Sequence, residues 1–371
     1  MITSRAAALS CAALLWAAPA LAASYAGTAS GSVLKLPAGA RAAALGEAYA
    51  AGSVGDPASI YYNPASPAGT RLGAFSFSHA AWFQSVTYDL AAFTLPLGKN
   101  GSSGTLIGGA QYLNYGDIQS FDNTGTSDGS FSPHDFAGAL GWAYQFENRL
   151  AVGAMAKYVN SVITRTASAF TFDLGARYPL GYGFTAGAAY QNAAGSLRYA
   201  RDSAPLPRQT RLGLKWETPM FTFSSDMLLN SDGKNAASLG AEARPVSVGN
   251  VGVALRAGYN SRISDTRQDS SFPVSMGAGI LSQTLSLDYA FVPYGDLGSA
   301  HLITVTLHWD QSSGPFSWLL GEDSPAQEPQ PKKQRPRLST PRQTLQQQEQ
   351  QPQQQLRRKN PFGSADITTW E

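Results

Sequence analysis

The sequence predicts an all-β protein, a transmembrane antiparallel β-barrel of about 14 strands. Three observations predict it. First, runs of roughly ten residues with period-2 alternation recur about fourteen times between the first strand near residue 72 and the last near 309. Second, the connections between them alternate long and short. A soluble sandwich has no need to keep its long loops at one end, whereas an outer-membrane barrel joins its strands by short periplasmic turns and longer external loops. Third, the chain opens on a secretory signal.

In that signal Arg5 supplies the positive start, Ala6–Ala18 the apolar run and Ala20-Leu21-Ala22 the small-x-small cleavage site, so residues 1–22 are removed and the mature chain begins at Ala23. The single cysteine, Cys11, lies inside the signal, which leaves the mature protein without thiols or disulfides. Residues 23–70 do not alternate. Ala38–Gly52 is alanine-rich and helix-prone, and Asp56-Pro57 and Asn63-Pro64 set two bends around a short ordered stretch.

Strands are expected near 72–79, 86–96, 103–113, 134–146, 149–159, 168–178, 182–191, 208–216, 219–229, 236–244, 251–259, 272–281, 283–292 and 299–309. The connections at one end are Ala80–Ser85, Asn114–Pro133, Asn160–Ala167, Asn192–Pro207, Asn230–Asn235, Asn260–Ser271 and Pro293–Gly298. At the other they are Leu97–Ser102, Glu147-Asn148, Pro179–Gly181, Glu217-Thr218, Pro245–Asn250 and about Ser282. Each strand has an apolar face, such as Phe170, Phe172 and Leu174, and a face mixing small residues with charges, such as Asp173, Gly175 and Arg177. Periodicity alone does not say which face points outward. The signal, the one-sided loops and aromatic strand ends such as Trp142, Tyr178, Trp216 and Trp309 favour an outer-membrane barrel over a soluble sandwich. The chain is 43% hydrophobic and only 14% charged, as a lipid-facing wall requires. Its net charge of +2 gives no strong field, and no nucleic-acid partner is expected.

After Trp309 comes a tail, residues 310–371, with a dozen glutamines between Gln327 and Gln355. From Pro329 to Lys359 it carries eight basic residues against Glu349. Such a segment cannot bury a core and is expected to be disordered. An even strand number puts both termini in the periplasm, where the basic tail would bind an anionic partner and the segment Asn360–Glu371 would act as a docking peptide.

Two motifs carry a family resemblance. Leu34–Tyr49 (LKLPAGARAAALGEAY) resembles the N-terminal motif of the PorV/PorQ family, and Asp56–Ala65 (DPASIYYNPA) resembles the family's Asn-Pro-Ala segment, shared with FadL-like transporters. Glu47 stands where that motif has Gly. The resemblance implies a fourteen-stranded barrel with residues 23–70 folded inside as a plug. It also implies one of two functions: a non-enzymatic partner in type IX-like protein secretion and surface attachment, or FadL-like transport of a hydrophobic compound across the outer membrane. The first is the main expectation, with exported proteins or secretion machinery as partners; the second implies a hydrophobic solute. Outer-membrane lipid is a partner in both. The tail departs from the family pattern.

Candidate site residues follow. Asp56, Asn63 and Pro64 bend the plug and are candidates for gating. Asp89, Lys157, Asp173, Arg177, Arg211, Lys215, Asp226, Glu242, Arg244, Arg256 and Asp288 are expected to line the lumen, mostly paired. Gly104, Gly108 and Gly109 in the third strand mark a kink that the FadL resemblance makes a lateral opening. The four histidines, His79, His134, His301 and His308, have no metal-ligand spacing. No phosphate loop, dinucleotide fingerprint or nucleophile elbow is present, so neither a cofactor nor enzymatic activity is expected.

Overall fold

A computed structural model describes residues 29–199, 202–249, 251–264 and 274–310. The signal with Cys11, the tail with its basic cluster, and residues 265–273 of the Asn260–Ser271 connection lie outside the described residues. Strands are numbered along the chain, and fourteen of them close into an antiparallel barrel. The barrel strands are β1 (Leu72–Ala81), β2 (Thr87–Pro96), β3 (Thr105–Asn114), β6 (His134–Gln145), β7 (Ala151–Val162), β8 (Thr166–Gly181) and β9 (Phe184–Gln191). These are followed by β12 (Gln209–Glu217), β13 (Phe221–Asn230), β14 (Ala236–Val248), β15 (Val251–Asn260), β16 (Val274–Leu281), β17 (Leu285–Pro293) and β18 (Ser299–Asp310). Each barrel strand pairs with the next barrel strand in the chain, and β18 closes on β1 from Leu72↔Asp310 to Ala81↔His301. Closure leaves no free edge, which satisfies every strand without an external partner.

The intervening numbers belong to two hairpins outside the barrel. Strands β4 (Ile118–Phe121) and β5 (Ser127–Phe131) lie within the polar stretch 114–133, and β10 (Ser196–Tyr199) and β11 (Asp202–Pro205) within 192–207. These connections are therefore folded rather than irregular.

The faces are inverted relative to a soluble sheet. Phe170, Phe172 and Leu174 are 73%, 44% and 48% exposed, while Asp173 between the last two is 0% exposed. Apolar side chains cover the outside and polar ones are buried within. Among the described residues no helix is long and apolar enough to cross a membrane.

Three expectations about connections are corrected. The stretch 160–167 is not a long loop: β7 and β8 stay paired to Val162↔Thr166, leaving only residues 163–165 between them. Pro179 is not in a turn but inside β8, paired with Thr185 beside an irregularity, and the turn itself is Tyr182-Gly183. Both of those residues have positive φ, 53° and 84°, the geometry a two-residue hairpin turn demands. Pro245 likewise lies within β14, where the register shifts between Ala243 and Val246. A strand absorbs a proline at such a shift because one ladder bond is already missing.

Residues 29–70 run through the interior. Only Ala40–Ala44 of the alanine-rich stretch is α-helical, because Gly46 and Glu47 both take left-handed φ values of 64° and end it. Ser30 donates its N–H to Pro205 O in the β10–β11 hairpin, at the end of the barrel that carries the long connections. Asp310 closes β18 at the opposite end. Both ends of the chain, on which the expectation that they share one side rests, lie outside the described residues.

Candidate functional site: the inner segment and its seat

The inner segment touches the wall on all sides, and glycine makes this close approach possible. Inward-facing glycines pair directly across neighbouring strands: Gly153↔Gly175, Gly187↔Gly213 and Gly240↔Gly258. A Cβ built on Gly258 would lie 2.1 Å from Gly46 N, on Gly187 2.1 Å from Ala50 O, and on Gly153 2.4 Å from Pro64 O. The inner backbone therefore rests directly on the wall's backbone, and any side chain at these positions would displace it. The sequence carried a signal for this seat: glycines recurring in phase with the inward charges.

Polar contacts hold the segment on that seat. Asp226 of β13 accepts from the N–H groups of Tyr49 (2.8 Å) and Ala50 (2.7 Å). Arg41 reaches Glu242 of β14 with two nitrogens at 3.0 and 3.1 Å. Glu242 also pairs with Arg256 at 2.6 Å and Arg244 at 3.1 Å, and Arg256 continues to Asp288 at 2.6 Å. Arg244 and Lys215 share Glu217 at 3.0 and 2.9 Å. A charged ladder thus runs from the inner segment across β14, β15 and β17 on the half of the lumen with short turns. Lys157 and Asp173 pair at 2.8 Å farther up, and Arg177 donates to Ala68 O at 3.1 Å.

The expected bends are in place. Asp56 caps the 3₁₀ turn Pro57–Tyr61, accepting from Ala58 N at 3.0 Å and from Tyr49 Oη at 2.8 Å. Asn63 donates to Ala50 O at 2.7 Å and to Ala176 O of the wall at 3.0 Å, and accepts from Ala65 N at 3.0 Å. Pro64 lies against Gly153 and Gly175.

Two site expectations are corrected. Asp89 does not line the lumen. It shares the outward face of β2 with Phe93, while its neighbours Tyr88 and Leu90 are buried, and it pairs with the equally outward His79 at 2.7 Å. The period-2 pattern of β2 is ambiguous because Ala91 and Ala92 fit either face. The lateral opening at Gly104, Gly108 and Gly109 is not formed. β3 is paired without a register shift along its full length with both β2 and β6. Gly104 lies in the preceding turn, Gly108 leaves room for the Phe93 ring, and Gly109 for the hydroxyl of Tyr61.

Glu47 was visible in the sequence only as a departure from a motif. Its carboxylate is 3% exposed and contacts Arg262 at 2.6 Å, Asn260 Nδ2 at 3.1 Å and Arg211 at 3.6 Å. Arg211 also lies 5.1 Å over the Tyr62 ring.

A second feature is an apolar cluster shared by the inner segment and the wall. It includes Val33, Leu45, Ile60 and Ala65 of the segment with Tyr88, Leu90, Ile107 and Leu302 of the barrel strands, and Trp82 and Tyr294 in the long connections pack against it. Two enclosed cavities beside the inner segment are small, about 10 Å³ each, room for about one water.

No protein-family model and no characterised sequence matches the chain. Among solved structures, the toluene transporter TodX of Pseudomonas putida is 13% identical over 73% of this chain and 97% of its own, with a TM-score of 0.44. The toluene transporter TbuX of Ralstonia pickettii is 12% identical over 73% and 97%, with a TM-score of 0.42. KdgM porin is 6% identical over 63% and 98%, with a TM-score of 0.33.

Proposed function

We propose that the chain is an outer-membrane barrel that passes a hydrophobic compound, with the inner segment as its plug. An outward belt of Phe, Leu and Trp around a polar, extensively paired interior supports insertion in a bilayer, since hydrocarbon tolerates only closed, self-satisfied backbones. The observation that carries the transport reading is the apolar cluster shared by plug and wall. A pore for polar solutes needs a wet, polar path. Here the groups packed between Trp82 and Tyr294 in the long connections and Ile60 of the plug are apolar, and the charges pair with one another and with the plug. A hydrophobic solute would enter between Trp82 and Tyr294 and descend past Leu90 and Ile60 as the plug yields.

The test is uptake of a hydrophobic probe into vesicles that contain the protein, comparing the parent with Leu90→Gln and Ile107→Gln. Uptake should fall at least about tenfold in both variants, because each places an unpaired amide on an apolar path. Unchanged uptake in correctly inserted variants would sink the proposal.

One observation favours a second reading, a non-enzymatic partner in protein secretion or surface attachment. The external β4–β5 hairpin exposes Ile118 (45%) and Phe121 (59%), apolar groups an exported protein would cover. Loss of surface-attached proteins on deleting residues 117–132, with hydrophobe uptake intact, would decide for it.

A further inference from the structure

The plug has one residue whose backbone and side chain pull in opposite directions. Glu47 has φ = 64°, a left-handed conformation that glycine adopts freely and a glutamate does not. Yet the position holds a carboxylate, buried and aimed at two arginines from different parts of the barrel. Arg211 is on β12; Arg262 lies just past the end of β15, in the external connection, and also donates to Lys35 O of the plug at 3.2 Å. A strained conformer kept at a closure point indicates that the side chain matters more there than the backbone.

We propose, resting on the reading of the chain as a gated channel, that Glu47 is the latch of the plug: its carboxylate holds the arm 40–52 against β12 and the β15 end. Removing it leaves the buried Arg211 without its anion and the half-buried Arg262 without its closest partner, which favours states in which the arm lifts and Arg211 becomes hydrated. The other charged contacts of this arm with the barrel, Asp226 with Tyr49 and Ala50 and Glu242 with Arg41, reach strands of the wall. Glu47 ties the arm to an external connection, where a change outside the barrel can reach the plug. Glu47 is a positioning residue in this scheme, since it acts by holding the plug and touches no solute.

Substitution by glycine separates the two demands, because Glu47→Gly relieves the backbone while deleting the latch. The reporter is Ser66→Cys. Ser66 is fully buried, its hydroxyl has no hydrogen-bond partner among the described residues, and it packs on Gly52 at the end of the arm. Cys11, the one native cysteine, falls in the expected signal and does not interfere. The mature Ser66→Cys protein in lipid vesicles is treated with a small thiol reagent, alone and with Glu47→Gly, Glu47→Gln or Arg262→Ala added.

Glu47→Gly and Arg262→Ala should each raise the modification rate at least about tenfold, the mark of a shifted closed–open population. Glu47→Gln, which keeps an acceptor for Asn260 and Arg262, should raise it less. The Glu47→Gly/Arg262→Ala pair should add little to Glu47→Gly alone, because the two share one contact. Parental rates in both Glu47→Gly and Arg262→Ala, with the barrel still heat-modifiable on a gel, would overturn the latch. Should Glu47→Gly fail to insert, the rate in Arg262→Ala alone decides the matter. Faster modification without faster hydrophobe uptake would keep the latch and refute transport. Parental modification with uptake still blocked by Leu90→Gln would refute the latch and keep transport.

Discussion

At the scale of single residues, the inner segment is held by groups whose partners cannot be replaced by water. Asp226 illustrates the asymmetry between losing charge and losing an acceptor. Both plug N–H groups bond to the same carboxylate oxygen. Asp226→Asn can still present one oxygen to them, so it should cost little, whereas Asp226→Ala strands two buried donors at about 1–3 kcal/mol each. Hydrogen exchange at Tyr49 and Ala50 should rise in Asp226→Ala and stay near parental in Asp226→Asn. A different residue-scale effect operates in the β4–β5 hairpin. Thr124 and Thr126 donate to Asp122, which holds its carboxyl below the ordinary carboxylate range, the Thr124 hydroxyl contributing most. A depressed native value means the contribution to hairpin order is present above the ordinary pKa of about 3.9 and is lost as pH falls through the native value. The amides of Thr124 and Thr126 should therefore lose their order only in strong acid, and Asp122→Ala should lose it at every pH; chemical shifts of the two amides across a pH titration report both.

At the scale of elements, seat and segment are matched through absent side chains. Gly258 needs no special backbone, since its φ is not left-handed; what it needs is space, because a methyl would meet Gly46 N and Leu45 C, both backbone atoms that cannot swing aside. Gly258→Ala should push the arm off the wall, at about 1–3 kcal/mol of overpacking, while the β14–β15 ladder still forms. Gly252→Ala on the same strand is the control, as its nearest neighbour is 3.7 Å away. Faster proteolysis of the plug in the first and parental resistance in the second, with both barrels heat-modifiable, is the expected pair of results. The bulge at Pro245 and the turn at Tyr182-Gly183 belong to this scale too. There the strand outlasts its proline, because cross-strand pairing on both sides outweighs one missing donor.

At the scale of the whole molecule, the outward apolar belt is the part that the proposed membrane reading puts against hydrocarbon. Leu255, 52% exposed, sits mid-strand on the outer face of β15. Leu255→Lys should destabilise the inserted barrel by about 2–4 kcal/mol if that level is the bilayer midplane, whereas on a water-facing surface it would be neutral or favourable. Folding midpoints in lipid vesicles measure the difference, and a neutral result would place the belt outside the membrane. The threading of the chain belongs to this scale as well: Ser30 lies at the long-connection end and Asp310 at the other, so the described inner segment runs through the barrel from one end toward the other.

The sequence by itself determined the fold class, the fourteen barrel strands and, β2 excepted, the two faces of each. Period-2 patterning in Phe170–Leu174 or Leu285–Tyr289 is local information, fixed by the alternation of side chains along any strand. It located Asp56, Asn63 and Pro64 as bends because proline and its neighbours restrict their own backbone. What only the tertiary structure decided is everything that depends on which groups meet. The pairing of Glu47 with Arg262 joins residues 215 apart in the chain. The outward turn of Asp89 is set by the register of β2 against β1 and β3. The straightness of the third strand follows from ladders on both of its sides, and the role of the strand glycines from a segment that lies across them. Local pattern carries no information about such partners, because closure of the barrel and threading of the inner segment bring them together only once the whole chain has folded.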